Sequence, residues 1–487
     1  MTPFYLSKLE RWMFLFVIPL TIFLAPKPTD AADSEKASSM STSNLETQIK
    51  NAQPGDIITL KTGVYEAEKY HFIGKGTPDK PIVIRAGTQG KTIFKSPILI
   101  EGEYLTLEGC HFEGNGNIEI EGTGIRLTRC TMTDVQKGKW VRVRPGSRQV
   151  EIDHCKFSNK TINLTEPRSC QLLQIVVRNQ GEKHHVHHNY FVDIPKGQSS
   201  NGYETLQLIT ENNPFDPAPG ACGTVIEHNL FERCNGESEI ISVKSNGNIL
   251  RANTFLNCQG GLVLRHGDGN TVTECFFIGD DEPRAGGVRM QGQDQVVVNN
   301  TFRSLGAYGV SMMDGTPDDL YIRTERARVA FNTFVNCNPA LRIGLNHSKH
   351  PNGTPPKDCI IANNVFTFQS SKVANKQSKT VDFVQNDEPE NWIWQGNITD
   401  GNLGISARAG IQKGETGLKV LSNGLVIPLP TSPLLGAAQG DFPDITQDAR
   451  AQTRGKNKTI GSIENPSESA TGGPLTPKDV GPEAKTQ

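Results

Sequence analysis

From residue 105 onward, short stretches of alternating apolar and polar residues end repeatedly in the same phrase: a small residue, any residue, then Phe. It occurs as Cys110-His111-Phe112, Cys155-Lys156-Phe157, Asn189-Tyr190-Phe191, Asn229-Leu230-Phe231, Asn253-Thr254-Phe255, Cys275-Phe276-Phe277, Asn300-Thr301-Phe302, Asn332-Thr333-Phe334 and Asn364-Val365-Phe366, with Cys130-Thr131-Met132 as a variant. The shortest intervals are 24 residues from Phe231 to Phe255, 22 to Phe277 and 25 to Phe302. A repeat of this length is one structural turn that cannot bury its apolar side without the next. Equivalent residues of successive turns then stack at about 4.8 Å, the Asn as an amide ladder and the Phe as a ring stack. The pattern predicts an all-β fold, a single-stranded right-handed parallel β-helix (solenoid), with wider intervals accommodating loops.

The two ends fit a capped solenoid. Ser43 and Glu46 have capping-box spacing, and Leu45 and Ile49 share one helical face; this predicts a short N-terminal capping helix over the open first coil. Pro54-Gly55-Asp56 then turns into a strand at Ile57. The β-helix domain is expected over 40–464, with some strand-like runs after Ser432, and the Pro-, Ser-, Gly- and Lys-rich segment 465–487 is expected to be a disordered C-terminal tail. Residues 1–32 read as a signal peptide: Lys8 and Arg11 precede an apolar run from Trp12 to Ala25, broken by Pro19, with Ala31 and Ala32 where cleavage can occur. The competing reading of that run is an uncleaved anchor. No later segment is apolar enough to span a membrane, so the expectation is a secreted or periplasmic protein.

Ten Cys in an exported chain suggest disulfides. Their placement argues otherwise. Cys110, Cys130, Cys155 and Cys275 occupy the Asn position of the phrase, and Cys234, Cys258 and Cys337 each follow a ladder Phe by three residues. They read as small buried hydrophobes, mostly free thiols; the rival is one or two bridges among loops involving Cys170 or Cys222. The formal net charge of −2 gives no global attraction for an anionic partner. Nucleic acid is therefore not expected, and an acidic polymer would have to be held by a local cluster of cations.

Such a cluster exists. Glu237-Ser238-Glu239-Ile240-Ile241-Ser242-Val243-Lys244 is followed by Leu264-Arg265-His266-Gly267 and by Gly286-Gly287-Val288-Arg289. Two residues apart in a strand, Glu237 and Glu239 present carboxylates on one face, and hard oxygen donors of this kind suit calcium better than zinc. Asn201 and Glu204 offer two more oxygens from a neighbouring turn. Lys244, Arg265 and Arg289 are 21 and 24 residues apart and line one face in adjacent turns, a costly stack of like charges unless anions are near. The flanking glycines are expected to let a ligand approach closely.

These phrases, with Asn201-Gly202-Tyr203-Glu204-Thr205 and Cys234-Asn235-Gly236, closely resemble polysaccharide lyase family 6, which includes alginate lyases and the dermatan-cleaving chondroitinase B. The match in order and spacing covers most of residues 40 to 400. The resemblance implies Lys244 as catalytic base and Arg265 as its partner, Asn201, Glu204, Glu237 and Glu239 around calcium, and His266 and Arg289 in contact with substrate. It departs at Gln207, where the family pattern leads one to expect a basic residue.

The chemistry agrees with those roles. Taking the C5 proton from a uronate adds charge next to a carboxylate, and a bound cation offsets both charges. Lys acts as a base only as the neutral amine, which neighbouring positive charge favours. Arg is a poor proton donor, so Arg265 fits charge stabilisation, with the group that protonates the departing O4 left open between Arg265, water and Lys244. Alginate is the leading substrate and dermatan sulfate the alternative; Arg323, Arg342 and Lys349 are candidate sulfate contacts. Two other classes compete. A β-helix glycoside hydrolase needs a carboxylate pair across the bond, for which the adjacent Asp280 and Asp281 are poorly placed, and a non-catalytic glycan-binding solenoid needs no base at all. The oligomeric state is not legible in the sequence.

Overall fold

The computed structural model describes residues 42–487 apart from 137, 162–168, 200, 212–219, 281, 319, 345–352, 370, 385–387, 470 and 486–487. The signal-like segment, Asp281 and Lys349 lie outside the described residues. Among the described residues the chain winds through three parallel sheets. The first has 13 strands from Ile57–Leu60 to Ile393–Gln395, the second 14 from Gly63–Tyr65 to Ile411–Lys413, and the third 12 from Tyr70–Lys75 to Val381–Phe383. Each sheet takes every third strand in chain order, so each turn contributes one strand to each sheet, until the last two strands of the second sheet, Asn397–Thr399 and Ile411–Lys413, which follow one another directly. This is a parallel β-helix, as the repeat predicts.

The repeated phrase marks entry into the second sheet. Asn189, Asn229 and Asn253 pass an amide hydrogen bond from Nδ2 to the next Oδ1 at 3.0 Å, and Asn300, Asn332, Asn364 and Asn397 do the same. Each of these oxygens also accepts from the main-chain N–H of the preceding rung, so these buried amides satisfy the corner's backbone as well as one another. The Phe two residues later points inward. From Phe157 to Phe366 the rings stack at centroid separations of 4.6 to 5.0 Å. All ten Cys are buried free thiols, so no bridge to Cys170 or Cys222 forms.

Phe302 is fully buried between Phe277 at 5.0 Å and Phe334 at 4.7 Å. Phe302→Ala is expected to cost about 3–5 kcal/mol, the usual range for emptying a buried aromatic site, read as a lower denaturant midpoint.

The helix Thr42–Asn51 buries Leu45 and Ile49 in the main core at the first coil. The Glu46 carboxylate ties this helix to the coil by accepting from the His71 N–H at 2.6 Å. The middle residue of the phrase points outward, and over the later rungs it is covered by the C-terminal segment. Leu425, Ile427, Ala449 and Ile463 pack on Phe276 and Ile278. Ser462 Oγ lies 2.9 Å from the hydroxyls of Thr301 and Thr333, and buried Arg454 donates to Asn299 Oδ1 at 2.7 Å. In place of the strand-like runs expected after Ser432, this segment is built of turns behind one antiparallel pair, Leu418–Val420 with Val426–Pro428.

The tail after 464 is not disordered along the stretch that touches the coil. Leu475 N–H donates to Thr254 Oγ1 at 2.8 Å, Gly481 N–H donates to the His188 carbonyl at 2.8 Å, and Arg129 donates to the Pro482 and Ala484 carbonyls. Val480 and Ala484 are buried. Main-chain polar groups hold this segment, and composition does not report them.

Candidate active site

The candidate residues gather on the outward face of the third sheet. Glu204 precedes the strand Leu206–Thr210, Glu237 precedes the next rung, and Glu239 opens that rung's strand, Glu239–Lys244. One oxygen from each of the three carboxylates lies within 4.8 Å of the others, and all three residues are buried. Burial and the neighbouring Glu204 push the Glu237 carboxyl up to about 8. Three buried carboxylates so close repel one another, and a divalent cation among them would neutralise that repulsion. The donor set therefore fits a metal of the oxygen-seeking kind. Asn201, also predicted in this group, stands exposed on the loop leading to Glu204, with its backbone carbonyl accepting from Ser199 Oγ at 2.7 Å.

Each carboxylate has a further partner. Glu204 accepts from Gln171 at 2.8 Å and from Gln207 at 2.7 Å, and its Oε1 is 3.8 Å from Lys244 Nζ. Glu237 accepts from the Tyr203 N–H at 3.1 Å. Glu239 accepts from Ser242 Oγ at 2.6 Å and pairs with Arg289. Burial opposes ionisation of Glu239, but Arg289, Arg265 and Lys244 outweigh it and hold the carboxyl below its usual range. Gln207, the departure from the family pattern, points its amide N–H at Glu204 and accepts from Gln174 at 2.6 Å; it orients a carboxylate where a cation was expected.

Lys244, Arg265 and Arg289 share the outward face but not one column. Gln174, Gln207, Ser242, Val263, Arg289, Ser311 and Arg342 align rung by rung. A β-bulge then shifts the register so that Lys244 pairs with His266, leaving Arg265 as the extra residue. The bulge re-aims Arg265, as bulges do beside functional sites, and its guanidinium lies 4.7 Å from the Tyr321 ring centre. It also relieves the cation stack expected from spacing alone. His266 is 1% exposed, and burial with Arg265 and Lys244 nearby lowers its pKa to about 4, so the imidazole is neutral. The guanidinium of Arg289 is engaged by Glu239.

Packing of the coil itself demands glycine at positions next to the cluster. A Cβ on Gly287 would stand 2.1 Å from the Gly309 carbonyl oxygen and 2.6 Å from the Phe302 ring, and one on Gly261 would stand 2.1 Å from the Gly287 oxygen. Gln171, Gln174, Ser242 and Tyr321 were not singled out in the sequence. Ser242, two residues before Lys244, shares its face by simple alternation, but its meeting with Glu239 depends on a register shift between Glu239 and Ile241 that alternation does not show; the others sit in turns whose alignment depends on loop lengths.

Among other candidates, Asp280 is held by Arg303, and Arg323 lies 3.5 Å from Glu325. Arg342 continues the Arg289 column two rungs on. Among the described residues no helix is long and apolar enough to cross a membrane.

Comparison of the sequence with curated proteins gives no match. Among solved structures, the PL6 family alginate lyase AlyGC superposes with a TM-score of 0.70 at 25% identity, covering 88% of this chain and 58% of that one; this chain thus spans little more than half of that lyase. A mannuronic acid specific family 6 lyase from human gut microbiota gives 0.64 at 27% identity, covering 77% and 89%. The PL6 family polysaccharide lyase Pedsa3628 from Pseudopedobacter saltans has the same fold, with 0.65 at 23% identity over 91% and 98%. The chondroitinase B family model matches residues 39–433, most of the coil and the whole constellation around Lys244, and by that match the chain belongs to the chondroitinase B family, within polysaccharide lyase family 6.

Proposed function

We propose that this protein is an exported lyase that cuts alginate by calcium-assisted β-elimination, leaving an unsaturated uronate at each new non-reducing end. The observation that carries the reading is the convergence of Lys244, Arg265 and the Glu204–Glu237–Glu239 cluster on one outward face. Alginate is favoured as substrate because AlyGC is an alginate lyase and the gut enzyme is mannuronic acid specific. The apolar run at the N-terminus supports export.

Lys244 is the base that takes the C5 proton. Its Nζ lies 3.8 Å from Glu204 Oε1, and Glu204 also accepts from the two glutamine amides. Arg265, aimed by the bulge and flanked by Tyr321, stabilises the charge that grows on the uronate carboxylate. Glu204, Glu237 and Glu239, with Asn201 able to add an oxygen from the adjoining loop, would hold calcium, which would supply further neutralisation of that carboxylate. Arg289 keeps Glu239 ionised and oriented, and neutral His266 lies under the reacting face beside Lys244. None of these roles provides the carboxylate pair that hydrolysis requires.

Digestion of purified alginate and dermatan sulfate, read by ultraviolet absorbance and mass spectrometry, tests the reading. Unsaturated oligosaccharides from alginate are expected. Product from dermatan sulfate alone would move the assignment to a chondroitinase, with Arg342 as the first sulfate contact to probe. Saturated ends from either polymer would overturn elimination.

A further inference from the structure

The first sheet carries a second cluster of ligating side chains, on a different face of the coil from Lys244. The strand His185–His187 places two imidazoles on its outward side, with Val186 turned into the core. Glu151 lies directly across from His185 on the preceding rung, and Glu227 lies across from His187 on the following one. The ligating atoms of Glu151, His185 and His187 lie within 4.8 Å of one another. His187 Nε2 is 3.0 Å from Glu151 Oε1, and His185 Nε2 is 2.8 Å from Glu227 Oε1. The two rings are 4.1 Å apart between centres.

We infer that Glu151, His185 and His187 form a zinc site on the first sheet. The donor set is two imidazoles and one carboxylate, which suits a borderline cation and not the oxygen-seeking ion of the third sheet. Tetrahedral coordination sets ligand atoms roughly 3.3 Å apart, reached here by small side-chain rotations on a rigid strand pair. His187 Nδ1 lies 2.9 Å from His188 Nδ1; when it donates there, the Nε2 lone pair is directed at the site. All three ligands are only partly buried, so the fourth position opens to water or to Glu227, whose other oxygen is taken by Arg251. Arg126, 3.6 Å from Glu151 and bidentate on buried Asp153, fixes the adjoining rung. The bound ion pins two rungs together through side chains.

The experiment is zinc binding to the full chain after chelator treatment, with metal counted by mass spectrometry after equilibrium dialysis against micromolar zinc chloride. The parent and Glu237→Gln are expected to retain a zinc that His187→Ala and Glu151→Gln both lose, with zinc raising the melting temperature of the parent and of neither first-sheet variant. Glu151→Gln preserves shape, so it reports on the site even where His187→Ala fails to fold. Equal zinc content in Glu151→Gln and parent, or no zinc bound by the parent, would overturn the assignment. Loss of polymer cleavage with zinc binding intact would instead bear only on the third-sheet reading.

Discussion

Lys244→Ala is expected to abolish polymer cleavage, lowering kcat by about a thousandfold or more, equivalent to roughly 4 kcal/mol of lost transition-state stabilisation. The side chain sits on the outward face of its strand and is 13% exposed, so the substitution leaves no hole in the core. Glu204 retains its two glutamine donors, and the carboxylate cluster keeps its shape. Polymer affinity should therefore survive, measured by affinity electrophoresis in an alginate gel. The combination separates an enzyme from a glycan-binding solenoid: a binding protein has no turnover to lose. Undiminished release of unsaturated ends from Lys244→Ala would remove this residue from the mechanism.

Chelation is the second large effect. Without a cation, Glu237 is pushed up to about 8 by burial and by Glu204, so three carboxylates cannot all be charged at neutral pH without mutual repulsion. Exhaustive dialysis against a chelator should reduce cleavage to background, and calcium should restore it. Glu237→Gln keeps the side-chain volume and removes one hard, charged ligand. It is expected to raise the calcium concentration for half-maximal activity by tenfold or more. Full activity of the chelated parent would show that the cluster serves cleavage without a metal.

Sequence patterning revealed the coil because stacked turns force like residues into like positions. Asn229, Asn253, Phe255 and Phe277 had to recur for amides and rings to meet. The ladder continues through Asn397, yet that rung reads Asn397-Ile398-Thr399 and lacks the Phe that marks the others. Glu237, Glu239 and Lys244 were legible as a group since one strand and its approach carry them. The offset of Arg265 was not, because a single extra residue in a strand leaves no compositional trace. Gln171 and Gln174 were hidden for another reason: their partners Glu204 and Gln207 are a whole turn and its loops away. The tail reads as polar by composition, yet backbone groups that every sequence possesses, together with buried Val480 and Ala484, tie it to the coil.

Stacked turns that touch only their neighbours ordinarily melt piecemeal, because the stability of each unit depends on the units beside it. Here the returning C-terminus joins Arg129 to Ala484, Thr254 to Leu475 and Thr333 to Ser462, bridging positions many windings apart. Fraying at one end must then break bonds made near the middle. The expected outcome is a molecule that opens as one cooperative body, with a protease cut before residue 464 converting it into one that unravels by stages.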